Sequence, residues 1–260
     1  MKLSVLQMNI RLGDFPANLA TLHRLMEEAM GNRPDTVLLP ELWNIGFYPK
    51  PIRKHARASE GKSLQALEEL SRQYQVNIVG GTIATVEEAG IRNTCCVFDR
   101  TGTLISSYSK THLFSPMNEN KDFTPGDRLA VFQLDNIKCA AVVCYDLRFP
   151  ELIRKLSLED ISLLFLPAEW PIERLIHWET LLRARAIENQ IFLAAANGAG
   201  TFPHEMHLAG HSAIIGPWGE ILAEAGEEET ILHANLQPLI RQQIKESMDV
   251  FADRRPELYK

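Results

Sequence analysis

Short apolar runs recur along this chain, each too brief to be a helix of its own, and stretches with helical spacing stand between many of them. The runs lie around Leu3 and Val5, at 36–39, 78–85, 94–98, 131–134, 137–144, 161–166, 191–196 and 230–234, with two more around Pro217-Trp218-Gly219. Leu19, Leu22, Leu25, Met26 and Ala29 repeat at helical intervals after Asp14, which can cap a helix, and Pro16, which suits its first turn. Further helices are expected over Leu64, Leu67, Leu70 and Tyr74, between Cys144 and 161, at 174–188 and at 239–247. Strands alternating with helices, with no linker rich in Gly, Ser or Pro and no repeat, specify one α/β domain over 1–260. Periodicity does not separate a single doubly wound sheet from two packed sheets.

What leaves the strand ends is more specific. The run Val142-Val143 ends in Cys144, followed by the polar turn Tyr145-Asp146-Leu147-Arg148-Phe149-Pro150-Glu151. Val37-Leu38-Leu39-Pro40 ends in Glu41, and Tyr108-Ser109 ends in Lys110. Each has a bland explanation: cysteine is usually a small buried hydrophobe, and Glu or Lys at a strand end is usually solvated. Together they bring a base, a cation and a thiol to the edge where α/β sheets place their chemistry. That is the inventory of a thiol hydrolase. A long segment from Thr111 to Arg128 follows Lys110, and connections of that length are often functional.

The stretches around these residues are PELWNIGF, YSKTHLF, NENKDFTPG and CYDLRFPEL, and later LPAEWP, RARAIENQ and RRPELY. In that order and those contexts, the chain resembles the carbon–nitrogen hydrolase (nitrilase) superfamily from its first strand to its tail. Within it the chain is most similar to the ω-amidase branch, which hydrolyses the side-chain amide of 2-oxoglutaramate. The resemblance implies a four-layer α-β-β-α sandwich, often paired with a second subunit to continue the layers. It implies a triad of Glu41, Lys110 and Cys144, with Glu119 as a second active-site glutamate that positions the substrate amide or supports Lys110. Cys144 would attack the amide carbonyl and form a thioester, with Glu41 moving the protons. Lys110 and the backbone N–H of Tyr145 would hold the oxyanion. Trp43 and Phe47 are expected to desolvate Glu41, and Trp170 and Phe114 to wall the pocket. Arg148 and Glu151 are assigned to hold the turn after the nucleophile, Arg148 being also a possible cation for a substrate carboxylate. None of these steps calls for a metal or organic cofactor. The tail at 248–260, with Phe251, Leu258 and Tyr259, packs either on its own subunit or across a dimer interface.

Charge and composition remove other classes. A net charge of −6 offers no footprint for nucleic acid or an anionic membrane. The N-terminus alternates apolar with polar and lacks the apolar core of a signal peptide, and no run approaches a membrane span. Cys95, Cys96, Cys139 and Cys144 form no CxxC pair and no disulfide framework, so a reducing, cytoplasmic setting is expected. His204, His207 and His211 have spacings that would suit a metal on a helix, but Pro203 and Gly210 bracket them and oppose one. A loop carrying solvated histidines is the better reading. N-carbamoyl amine hydrolysis is the alternative activity. A catalytically silent binding protein of the same family is the alternative class, and the complete Glu41, Lys110 and Cys144 set argues against it.

Overall fold

Two six-stranded sheets carry the chain, and each is organised around a β-α-β-α-β unit. The structure is a computed structural model and describes residues 1–47, 49–202 and 206–259. The strands are β1 (Lys2–Gln7), β2 (Thr36–Leu38), β3 (Asn77–Glu87), β4 (Gly90–Phe98), β5 (Leu104–Ser109), β6 (Val131–Leu134), β7 (Ile137–Ala141), β8 (Leu163–Ala168) and β9 (Phe192–Asn197). Then follow β10 (Thr201–Phe202), β11 (Met206–His207), β12 (Ala213–Ile215), β13 (Ile221–Glu224) and β14 (Thr230–Asn235). The first sheet runs β14-β1-β2-β3-β4-β5 and the second β13-β12-β9-β8-β7-β6, while β10 and β11 form a small antiparallel ribbon. In both sheets the three central strands are parallel and the outer ones antiparallel.

Helices α1 (Phe15–Met30) and α2 (Ile52–Tyr74) link the parallel strands of the first sheet; the short α3 (Glu119–Asp122) lies in the long connection. Helices α4 (Pro150–Ser157) and α5 (Leu175–Asn189) link those of the second, and α6 (Leu239–Ser247) precedes the tail. Strand alternation decides which side chain goes where. In β1, Leu3 and Val5 join a core shared with the second sheet, while Leu6 joins Leu22, Leu25, Leu67 and Leu70 of α1 and α2. Burying each such leucine or valine stabilises the fold by roughly 1.5–3 kcal/mol. The layers are therefore helices, sheet, sheet, helices.

Asp14 caps α1 as expected, its Oδ1 accepting from the Ala17 N–H at 3.1 Å. The second helix is much longer than its leucine spacing predicts and begins at Ile52. Its first half buries small or polar residues, Ala56, Ser59 and Ser63, which leave no apolar stripe to read. The 111–128 segment also departs from a plain loop: Ser115–Met117 is a 3-10 turn and α3 follows it.

Candidate active site

Three strand ends meet at one place between the sheets. Glu41 follows β2, Lys110 follows β5, and Cys144 follows β7 after the extended pair Val142-Val143. Lys110 and Glu41 are fully buried, and so is Glu119 at the first position of α3.

Local sequence explains how Glu41 comes to be there. Gly80 and Gly81 form a bulge in β3, between Val79 and Thr82 in register. Gly81 has φ +57°, and a Cβ there would fall 2.0 Å from the Pro40 carbonyl oxygen. The bare backbone lets the Pro40-Glu41 turn sit against β3, where Thr82 N–H donates to the Pro40 carbonyl at 3.1 Å and Thr82 Oγ1 accepts from Leu42 N–H at 2.8 Å. Trp43 is spent on that anchor rather than on the pocket: it is wholly buried and its indole N–H donates to Gly80 O at 2.9 Å. Phe47 does reach the site, with the Lys110 ammonium 5.8 Å from its ring centre.

The Lys110 ammonium lies between two carboxylates. Its Nζ is 2.9 Å from Glu41 Oε1, and 3.1 and 2.9 Å from Glu119 Oε1 and Oε2. Asn93 of β4 donates to Glu41 Oε1 at 2.7 Å and to Glu119 Oε1 at 3.4 Å. The Phe114 N–H fixes Glu119 Oε2 at 2.6 Å, and the Glu169 N–H donates to Glu41 Oε2 at 2.9 Å. This last bond ties the first sheet to the end of β8 in the second. Burial alone would lower the Lys110 pKa, but Glu41 and Glu119 outweigh it and hold the ammonium well above its usual value. Burial pushes the Glu119 carboxyl up, opposed by Lys110 and reinforced by Glu41. The Cys144 thiol is also pushed well up, by burial and by the Glu41 carboxylate with which it interacts, while Lys110 favours the thiolate.

Cys144 itself sits at φ +47°, a left-handed conformation that costs a non-glycine residue about 1–3 kcal/mol and that recurs at functional sites. It opens a 3-10 turn, Cys144–Arg148, so the Tyr145 N–H occupies the first turn, where amides lack intrahelical partners. Asp146 holds this turn, not Arg148 and Glu151 as the sequence reading assigned. Its buried carboxylate accepts from Tyr108 O–H at 2.7 Å, His112 N–H at 2.9 Å and Val143 N–H at 2.9 Å, with His112 Nδ1 at 2.8 Å. Glu151 is exposed in the first turn of α4 and Arg148 lines the cavity instead. A short carboxylate two residues past the cysteine can reach back to the backbone of the elbow; a longer side chain on the helix face cannot.

A cavity opens onto Cys144 and Lys110. Phe47, Phe114, Tyr145 and Trp170 supply much of its wall. Trp170 is fixed by Asn197 at the end of β9, whose Oδ1 accepts the Trp170 N–H at 2.6 Å. Glu169 also lines the cavity; it is 4% exposed and neither carboxyl oxygen has a hydrogen-bond partner. Burial, and then the nearby Glu41, push its carboxyl well above the usual carboxylate range and so favour the neutral acid, against the opposing pull of Lys110.

Glu41, Lys110, Glu119, Cys144, Tyr145, Arg148 and Trp170 all reach this place, whereas Asn93, Asp146, Glu169 and Arg174 were not singled out. One of these carried a legible signal: Glu169 leaves β8 much as Glu41 leaves β2. The histidine set is not gathered on a helix. His204 lies outside the described residues, His207 pairs with Thr201 Oγ1 at 2.9 Å, and His211 lies by Glu179 and Glu224, their ligand atoms within 4.8 Å of one another. In the tail, Phe251 lies under Arg154 and Lys245 of its own chain, while Leu258 and Tyr259 are exposed.

Comparison with known proteins agrees with the geometry. The carbon–nitrogen hydrolase family model matches residues 2–245. The 2-oxoglutaramate amidase of Bacillus subtilis (strain 168) is 39% identical, covering 99% of this chain and 98% of its own. The omega-amidase NIT2 of Xenopus tropicalis is 33% identical over 93% of this chain and 91% of its own. A solved CN-hydrolase superfamily protein from Xanthomonas campestris, with an arsenic adduct in its active site, superposes with a TM-score of 0.92 at 30% identity, covering 98% of this chain and 97% of that one. The chain belongs to the carbon–nitrogen hydrolase family and is a hydrolase with the four-layer sandwich of that family.

Proposed function

We propose that this enzyme hydrolyses the terminal amide of an ω-amide acid such as 2-oxoglutaramate, releasing ammonia and a dicarboxylic acid through a thioester on Cys144. The observation that carries the reading is the buried ammonium of Lys110 held between Glu41 and Glu119 beside a thiol in one cavity. The amidases named above, alike over nearly the whole chain, support the substrate.

Because the resting thiol is protonated, its proton leaves as the S–C bond forms. Glu41 accepts that proton and gives it to the departing ammonia, leaving the acyl group on Cys144. Glu41 then takes a proton from water as the water attacks the thioester, and the thiol is restored as the acid departs. Such acid–base assistance is worth about 10²–10⁴ in rate. Lys110 and the Tyr145 N–H stabilise the oxyanion of both tetrahedral intermediates, each such donor being worth about 10²–10³ in turnover. Glu119 keeps Lys110 charged and in place. Trp170 walls the cavity.

The active form is a homodimer in this reading, with the exposed Leu258 and Tyr259 supporting a role for the tail at the interface. Sedimentation of the full chain beside a chain ending at 247 tests it. No helix among the described residues is long and apolar enough to cross a membrane, and four free buried thiols fit the reducing cytoplasm.

Ammonia release from 2-oxoglutaramate, plain amides, N-carbamoyl compounds and nitriles, with Cys144→Ala as control, tests the function. Release from 2-oxoglutaramate that the mutation abolishes upholds the proposal. Release from another member alone retires the substrate, and undiminished turnover by Cys144→Ala retires the mechanism.

A further inference from the structure

The cavity carries positive charge beyond that of Lys110. Two guanidinium groups, Arg148 and Arg174, line it together with Cys144, Lys110 and Glu169. Neither arginine forms a salt bridge among the described residues, so both line the cavity without a carboxylate partner. Arg148 lies over the Trp170 ring, 4.7 Å from its centre, with Nη2 3.0 Å from His177 Nδ1. Arg174 lies 5.3 Å from the centre of the Phe114 ring, and its backbone carbonyl accepts the Trp170 indole N–H at 2.9 Å.

Two like charges beside aromatic walls repel one another in a medium less screening than water. Burial draws the Arg148 guanidinium below its usual value, and the positive charge of Arg174 adds to this against the opposing Tyr145 and Cys144. Glu169 forms no ion pair with either guanidinium, both of its carboxyl oxygens being without a hydrogen-bond partner among the described residues. An anion between the guanidinium groups would relieve the repulsion. A carboxylate suits it best, because the planar fork of arginine matches two carboxylate oxygens. Both cations already rest against aromatic rings, Arg148 on Trp170 with His177 beside it and Arg174 on Phe114, so less order is lost on binding.

We propose that Arg174, with Arg148 beside it, binds the far carboxylate of the substrate, so that the enzyme selects amides bearing an anion at the end opposite the scissile group. This deepens the reading of the enzyme as an ω-amide acid hydrolase and rests on it. Arg174 contributes to binding and not to the chemical step, so its effect falls on KM before kcat.

The test compares paired substrates: glutaramate with its uncharged methyl ester, and an N-carbamoyl amino acid with its methyl ester. For each pair the ratio of kcat/KM, acid over ester, is measured in wild type, Arg174→Met and Arg174→Lys. Methionine keeps an unbranched stem against Phe114 and removes the charge. The expected result is a wild-type preference for glutaramate that falls about 10- to 100-fold in Arg174→Met, chiefly through KM, and is partly kept by Arg174→Lys. Should Arg174→Met fail to fold, as judged by its melt, Arg174→Gln answers the same question. A glutaramate preference left within about twofold by loss of the charge overturns the clamp and leaves the ω-amidase reading standing. Preference for the N-carbamoyl acid alone, lost in Arg174→Met, upholds the clamp and overturns that reading. No wild-type preference for the charged member of either pair overturns the clamp.

Discussion

Replacing Glu119 by glutamine tests the central arrangement most directly, because it keeps the shape and removes the charge. Both Glu119 oxygens are fully committed as acceptors. Oε1 receives Lys110 and Asn93, at 3.1 and 3.4 Å, and Oε2 receives Lys110 and the Phe114 N–H, at 2.9 and 2.6 Å. Whichever way the glutamine amide is turned, its NH₂ points at donors. Two donor contacts, one of them from Lys110, are therefore lost in either orientation, and Lys110 keeps Glu41 as its single counter-charge. Removing one partner of a buried ion pair costs about 3–5 kcal/mol. The surviving Glu41 contact and the remaining amide oxygen place this change at the lower end, about 3 kcal/mol. At roughly 2–4 °C per kcal/mol for a chain of this size, the melting temperature should fall by about 6–12 °C. The displaced Lys110 should reduce kcat by about 10²–10³, the usual loss when an oxyanion donor is misplaced. KM should rise as well where the amide NH₂ takes the Oε2 position, since the Phe114 N–H then loses its acceptor and Phe114 is part of the cavity wall. Thermal unfolding and steady-state ammonia release on the same preparation read all three. A melting temperature within about 2 °C of wild type, with kcat within about threefold, would refute the claim that Glu119 holds Lys110.

Asp146→Ala removes the acceptor of the Tyr108 O–H and of the Val143 and His112 N–H groups, each worth about 1–3 kcal/mol when left unpaired in a buried site. Denaturant unfolding should show a loss above about 3 kcal/mol, and kcat should fall with it because Cys144 leaves its strained elbow; unchanged activity would show that the turn holds itself. Glu169→Gln should change how stability depends on pH. The folded protein keeps a proton on this carboxyl that the unfolded chain releases above its ordinary carboxylate pKa, so wild type loses stability as pH rises beyond that point, until the raised folded value is passed. Glutamine cannot ionise, so the melting temperature of the variant relative to wild type should be higher at pH 8 than at pH 5. An equal difference at both values would mean that Glu169 is charged in the fold.

The alternation of short strands and helices gives the α/β class. Glu41 and Lys110 are legible because each ends a strand with a charge the core would not choose, and Cys144 because a polar, charged turn follows its apolar run at once. The capped start of α1 is legible too, since capping involves residues only three apart. What sequence spacing cannot carry is a partner from elsewhere in the chain. The first half of α2 buries small side chains and leaves no stripe to count. Asn93 and Glu119 are 26 residues apart, and Glu41 and Glu169 are 128 apart, yet each pair shares a hydrogen bond. Arg174 looked like an ordinary helix-start arginine until the packing set it beside Arg148 in the cavity. Side-chain type and local periodicity are properties of the string, so the string alone determined the elements and the reactive inventory. Whether a carboxyl keeps its proton, or an ammonium its charge, depends on burial and on the charges around it. Those exist only once the two sheets have closed over the site, and that the tertiary structure alone decided.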